Sequence, residues 1–132
     1  MRADLFHELA DAVEASPQRG HDFTMQFWGN EAVARGETCG TEGCMGGIAA
    51  MIWPDRLSLE LDGLFAYLRD PAGRESFDAL AHVLEIPLDH ARELFGFQHG
   101  LGPQAKDAAY HANRLREYVR REMRTVTVTG GI

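Results

Sequence analysis

The segment of this 132-residue chain whose residue types could carry chemistry is Cys39-Gly40-Thr41-Glu42-Gly43-Cys44-Met45-Gly46-Gly47. A thiol becomes a nucleophile when a neighbouring base or a helix N-terminus favours its thiolate. With Thr41 as the cap of a helix running to Ile52, Cys44 is the third helical residue, where unpaired amides and the helix dipole favour the anion, while Glu37 and Glu42 oppose it. In that reading Cys44 attacks and His99, set in the glycine-rich run Phe97 to Gly102, is the base. Amides at the helix start would stabilise an oxyanion, and His21, His82, His90 and His111 are further candidates for the base.

Three other readings of the cysteines compete. Two reduced, packed thiols need the least explanation, because small buried cysteines are common in cytosolic cores. A disulfide requires Cys39 to lie in a loop, since five residues of helix already rise about 7.5 Å. Zinc is disfavoured: Cys39-x4-Cys44 is looser than the usual knuckle, and no second cysteine pair or His-x3-5-His completes four ligands. Neither metal nor cofactor is therefore expected. No phosphate loop, dinucleotide fingerprint, His-Glu-x-x-His motif or Gly-x-Ser-x-Gly elbow is present.

The elements that must position these residues are mainly helical, about five by periodicity. Leu5, Phe6, Leu9, Ala12 and Val13 mark a first helix over 2–15, with His7 facing solvent, and Ser16-Pro17 stops it. Residues 17–40 read as a long loop that folds back onto the core through Phe23, Met25, Phe27 and Trp28, with room for a short strand at 23–27. Gly46 and Gly47 inside the second helix cost about 1 kcal/mol each relative to alanine, which another backbone approaching closely would offset. Leu64, Phe65 and Leu68 suggest a short amphipathic helix. Two more follow, one through Phe77, Leu80, Ala81 and Leu84, the other through Leu88, Ala91, Leu94 and Phe95, with Ile86-Pro87 between them. This αα-hairpin is unsuited to reading DNA, because Asp89 and Glu93 would face phosphates beside the single base Arg92. Pro103 opens a last helix to about Arg124, with Ala108, Ala112, Leu115, Val119 and Met123 as its buried stripe and Arg114, Tyr118 and Arg121 on another face. Residues 125–132 read as a short strand, pairing with 23–27 or 57–61, or as a frayed tail.

Composition sets outer bounds. A chain of this length with 45% hydrophobic and 25% charged residues fits one globular domain spanning 1–132, able to bury roughly two-thirds of its unfolded surface. No segment approaches a bilayer-spanning length, and the acidic, amphipathic start is unlike a signal peptide, so a soluble cytoplasmic protein is expected. The formal charge of −7 disfavours broad attraction to nucleic acid or an anionic membrane. Residues 103–132 nevertheless carry six bases against three acids, whereas residues 1–102 carry seven against seventeen. A basic helix docked on an acidic body accounts for this, and a basic contact surface for an acidic partner is the alternative.

The run His21-Asp22-Phe23-Thr24-Met25-Gln26-Phe27-Trp28, followed by Cys39-Gly40-Thr41-x-x-Cys44-x-x-Gly47, resembles a group of small uncharacterised proteins of actinobacteria and their phages. In that group a Pro-x-x-(Phe/His)-Asp-x-x-x-Trp segment precedes Cys-Gly-Thr-x-x-Cys-x-Ala-Gly. Pro17 and the stretch Ile86 to Phe95 also fit its pattern, so the likeness covers about 5–97. Gly46 replaces the usual alanine, and the basic C-terminal helix is longer. The resemblance implies architecture and a phage or bacterial setting, with no activity to carry over. A fainter similarity to the Cys-Gly-Ser-Cys-Trp helix start of papain-like cysteine proteases lacks the tryptophan and has two extra residues before Cys44.

These readings converge on a mainly α single domain with at most a small β element. The function they favour is that of a protein-binding accessory or inhibitor acting by surface occupancy, with contacts from the acidic body, from Arg114, Tyr118 and Arg121, or from Trp28. A protein partner is expected and self-association is compatible. The alternatives are a small hydrolase or transferase using Cys44 and His99, and mimicry of nucleic acid by the acidic body.

Overall fold

Helix α1 (Ala3–Ala15) forms where the apolar spacing places it, burying Leu5, Phe6, Leu9, Ala10 and Val13 along one stripe and leaving His7 exposed. Ser16 ends it by turning its hydroxyl back to donate to the Val13 carbonyl at 2.7 Å, and Pro17 opens a 3₁₀ turn that closes at Gly20 (φ +81°). A computed structural model describes residues 1–37, 40–63 and 65–130, and six helices and four strands lie among them. The architecture is mainly helical, with two small two-stranded sheets.

Helix α6 (Ala108–Gly130) packs along α1, with Tyr118 stacked on Phe6 at 5.1 Å between ring centroids. Arg116 reaches Asp11 at 3.0 Å and Glu14 at 3.2 Å, so the basic helix docks on the acidic body as the charge distribution suggested. Two ends of α6 differ from expectation. It starts at Ala108 rather than at Pro103, because Asp107 accepts the Tyr110 amide at 3.0 Å as cap, while the Met25 amide donates to the Ala105 carbonyl and holds the preceding loop. At the other end the backbone stays helical through Gly130, where alternating threonine and valine suggested a strand. Neither sheet includes that segment: β1 (Asp22–Phe23) pairs in parallel with β2 (Glu42–Gly43) and β3 (Ser58–Asp62) pairs antiparallel with β4 (Phe65–Arg69). β-branched residues lower helix stability by only tenths of a kcal/mol each. Among the described side chains of α6 the last buried one is Val119, and Met123 is exposed.

The hairpin corrects a second expectation. Phe65 and Leu68 belong to a strand rather than a short helix, with Leu59 opposite Leu68 and Leu61 opposite Ala66. Gly63 supplies the positive φ of +61° that the turn requires. The loop between α1 and the second cysteine contains β1, shorter and earlier than the 23–27 segment suggested, and one turn of helix, α2 (Glu31–Ala34). Asn30 organises this region: its Oδ1 accepts the amides of Val33 and Glu42, and its Nδ2 donates to the Gly40 carbonyl.

Helix α3 (Met45–Ile52) starts later than expected, with Cys44 itself as N-cap in place of Thr41. A Cβ on Gly46 would overlap the Trp28 indole, and one on Gly47 would overlap the Trp28 carbonyl oxygen. The close approach inferred from the paired glycines is thus made by one residue, through its ring and its backbone. Helices α4 (Ser76–Leu84) and α5 (Leu88–Phe95) form the expected αα-hairpin, burying Leu80, Leu84, Leu94 and Phe95.

Gly47→Ala is therefore expected to destabilise the protein by about 3 kcal/mol, because a backbone carbonyl rather than a flexible side chain must move. Gly102→Ala, with its nearest atom at 3.9 Å, is expected to stay within about 0.5 kcal/mol of the parent. Urea unfolding of the two variants checks the contrast.

Candidate functional site

Cys44 lies at the start of α3 beneath the Phe27-Trp28 backbone, whose carbonyls accept its amide at 3.0 and 3.3 Å. Its side chain is fully buried, with the Trp28 carbonyl as a distant acceptor at 4.0 Å. Burial pushes the thiol up to about 11, outweighing the downward pull of the Gly47 and Gly46 amides. At neutral pH the thiol is therefore protonated. The helix start does favour the thiolate, as position suggested, but desolvation rather than Glu37 or Glu42 is what defeats it. Cys39 lies outside the described residues, and with it the proposed disulfide. Among the described residues no group of three or more histidine, cysteine, aspartate or glutamate side chains could hold a metal ion.

His99 is held elsewhere. Its Nε2 sits 2.7 Å from the Glu93 carbonyl oxygen and 2.7 Å from an Arg114 guanidinium nitrogen, and it shares no hydrogen bond with Cys44. The structure does not bring the expected nucleophile and base together. Of the other candidate bases, His21 is buried, with Nδ1 3.0 Å from the Thr41 hydroxyl and Nε2 3.0 Å from the Gly43 carbonyl. His90 Nδ1 bonds the Tyr118 hydroxyl at 2.8 Å, and His82 is exposed on α4.

What the structure assembles instead is a clamp around Arg114. Its guanidinium donates to the Leu94 carbonyl at 3.0 Å and the Glu93 carbonyl at 3.3 Å, satisfying acceptors in the last turn of α5. The same group approaches His111 Nδ1 at 3.1 Å. His111, 1% exposed, uses Nε2–H to donate to the Gln104 carbonyl at 2.8 Å, which leaves Nδ1 unprotonated as the acceptor for Arg114. Burial lowers the His111 pKa to about 4, helped by the charges of Arg114 and His99 and opposed by the Gln104 carbonyl. Burial and Arg114 lower His99 as well. The clamp fastens the strap 96–107 between α5 and α6.

Three of the four residues expected to form a binding face are consequently engaged inside the fold. Arg114 holds the strap. Tyr118 is 4% exposed, between Phe6 and His90. Trp28 is 4% exposed and packs on Phe77 and Phe97 at 5.1 and 5.0 Å. Only Arg121 remains at the surface, its guanidinium carbon 6.0 Å above the Tyr118 ring. Sequence reasoning missed the clamp, although Arg114 and His111 stand three apart on the last helix and so share a face. Comparison of the chain with protein-family models, curated proteins and solved structures finds no match.

The clamp makes stability pH-dependent with a defined sign. The folded pKa of His111 lies below its ordinary value of 6.5, so the unfolded chain takes up the proton first. Stability is full above about 6.5 and falls as the pH drops toward 4, by about 2 kcal/mol from His111 between pH 7 and pH 5. His111→Gln keeps a donor for the Gln104 carbonyl and removes the titration. Urea midpoints measured across that range should be flatter for the variant by this amount, and an unchanged slope would refute the assignment.

Proposed function

We propose that the chain is a protein-binding accessory or inhibitor of phage or bacterial type, acting in the cytoplasm by occupying a partner's surface. The observation that carries this reading is the strap and the start of α6, where Phe97, Leu101 and Tyr110 are 38%, 89% and 44% exposed. Three of the six large exposed apolar side chains among the described residues thus belong to one stretch, 97–110. Single exposed apolar residues need no explanation, but a concentration of them on the strap and the helix start that Arg114 fastens favours a contact role. Holding the segment in place before binding reduces the ordering cost that association must meet. The remaining acidic charge favours a partner with basic character around its docking surface.

The catalytic alternative has less support, since the Cys44 thiol is buried and strongly protonated and His99 is engaged elsewhere. The contact face also moves away from Arg114 and Tyr118, which serve the interior.

Capture of partners from a bacterial lysate, followed by affinity measurement with the purified partner, tests this reading. Leu101→Asp is expected to weaken binding about tenfold or more, whereas Cys44→Ser should leave it unchanged. Loss of binding with Cys44→Ser in a folded protein, together with no effect of Leu101→Asp, would overturn it.

A further inference from the structure

A cavity of about 300 Å³ opens between the end of α1 and α3, independently of the strap. Ala12, Ile48, Met51 and Ile52 give it apolar walls, and the imidazole of His21 adds to them. Both His21 nitrogens are already bonded to Thr41 and Gly43, so the ring offers a neutral aromatic surface and no free polar atom. Burial also lowers the His21 pKa, which keeps the ring uncharged at neutral pH.

Two charged residues stand at the mouth. Glu37 accepts from Arg35 Nε at 2.9 Å, and the same guanidinium also pairs with Glu31 at 3.1 Å. Arg19, at the end of the 3₁₀ turn after α1, is exposed and has no hydrogen bond or ion pair among the described residues. A different situation holds in the cleft around Asp70, where Arg2, Arg56 and Arg74 are matched one for one by Asp55, Asp70 and Glu85. The cavity beside Arg19 therefore combines an apolar interior with a guanidinium at its rim that pairs with no carboxylate among the described residues. Its volume falls at the lower end of ligand pockets, roughly 300–1,000 Å³, so its occupant must be small.

We propose that this cavity binds a small amphipathic anion, a monocarboxylate whose hydrocarbon chain lies against Ile48, Met51 and Ile52 while its carboxylate pairs with Arg19. Burial of the chain supplies the favourable transfer from water, and the planar guanidinium fork matches the two carboxylate oxygens. Length selectivity follows from the limited volume and head-group selectivity from Arg19.

Titration of the full chain with octanoate, octanol and acetate, followed by calorimetry and by methyl NMR shifts at Ile48, Met51 and Ile52, tests the site. Octanoate is expected to bind saturably and shift these methyls, octanol about tenfold more weakly, and acetate without measurable saturation. Arg19→Lys should retain octanoate binding and Arg19→Glu should lose about tenfold or more. Met51→Trp, which fills the cavity from a half-exposed position, should abolish binding in a protein whose circular dichroism is unchanged. Absence of saturable octanoate binding would overturn the proposal. So would equal affinity for octanol and octanoate, which reports partition onto apolar surface, or octanoate binding indifferent to both Arg19→Glu and Met51→Trp.

Discussion

Trp28 meets the first turn of α3 with no space for a side chain between them, and several parts of the molecule depend on that contact. The indole covers Gly46, the carbonyl covers Gly47, and Gly43 is pressed against the same Trp28-Gly29 backbone. On its remaining surface the ring packs against Phe77 of α4 and Phe97 of the strap. One residue thereby links the loop after α1, the start of α3, the αα-hairpin and the strap. The contact also decides the chemistry of Cys44. The backbone that needs glycines beneath it roofs the thiol, excludes water from it and raises its pKa, so packing and loss of nucleophilicity have one cause.

Charge is arranged to close the fold. The basic excess of residues 103–132 is divided between two kinds of contact. Arg116 pairs with Asp11 and Glu14 near the surface, where each carboxylate is half-exposed or more and screening keeps the contribution small. Arg114 is more deeply placed and acts by direction: its fork meets the carbonyls of Glu93 and Leu94 and the nitrogens of two histidines, contacts a flexible ammonium could not make together. Asp70 shows the same economy on the acidic side. Its burial opposes ionisation, but the amides of Arg74 and Ala72 and the Arg74 guanidinium outweigh that and hold its carboxyl below the usual range.

Periodicity made α1, α4, α5 and the middle of α6 legible, because each buries an apolar stripe that the spacing of three and four already displays. The paired glycines also announced a close approach, though not that a tryptophan makes it. The hairpin was misread for a physical reason: Leu64, Phe65 and Leu68 satisfy a short helical template, and only the Asp62-Gly63 pair, with alternating apolar residues before it, identifies the turn. Helix caps shifted for a related reason. Thr41 and Pro103 are sound local signals, yet Thr41 is drawn to His21, and the Pro103 segment is tied to Met25 through Ala105. The candidate site was less legible than the fold. Neither the separation of Cys44 from His99 nor the meeting of Arg114 with His99 and His111 follows from spacing along the chain, since both depend on how α5, the strap and α6 pack.

That packing explains why the strap can present apolar side chains at all. Gly96, Gly100 and Gly102 give the segment freedom, and Gly100 is required where a Cβ would crowd Gln26 and the Met25 carbonyl at 2.9 Å. Unrestrained, such a segment would fold its exposed Leu101 inward or sample many arrangements. The Ala105 carbonyl on Met25, the Gln104 carbonyl on His111 and the Phe97 ring on Trp28 fix it at three points. Keeping His111 neutral is part of the same device, because a proton on Nδ1 would set an N–H against the Arg114 guanidinium and open the clamp. The charged and titratable groups that face His111 are Arg114, His99 and Asp107, and Arg114 lies in direct contact with its ring. The strap is thus held by a partly buried polar cluster around His111 as well as by the apolar core.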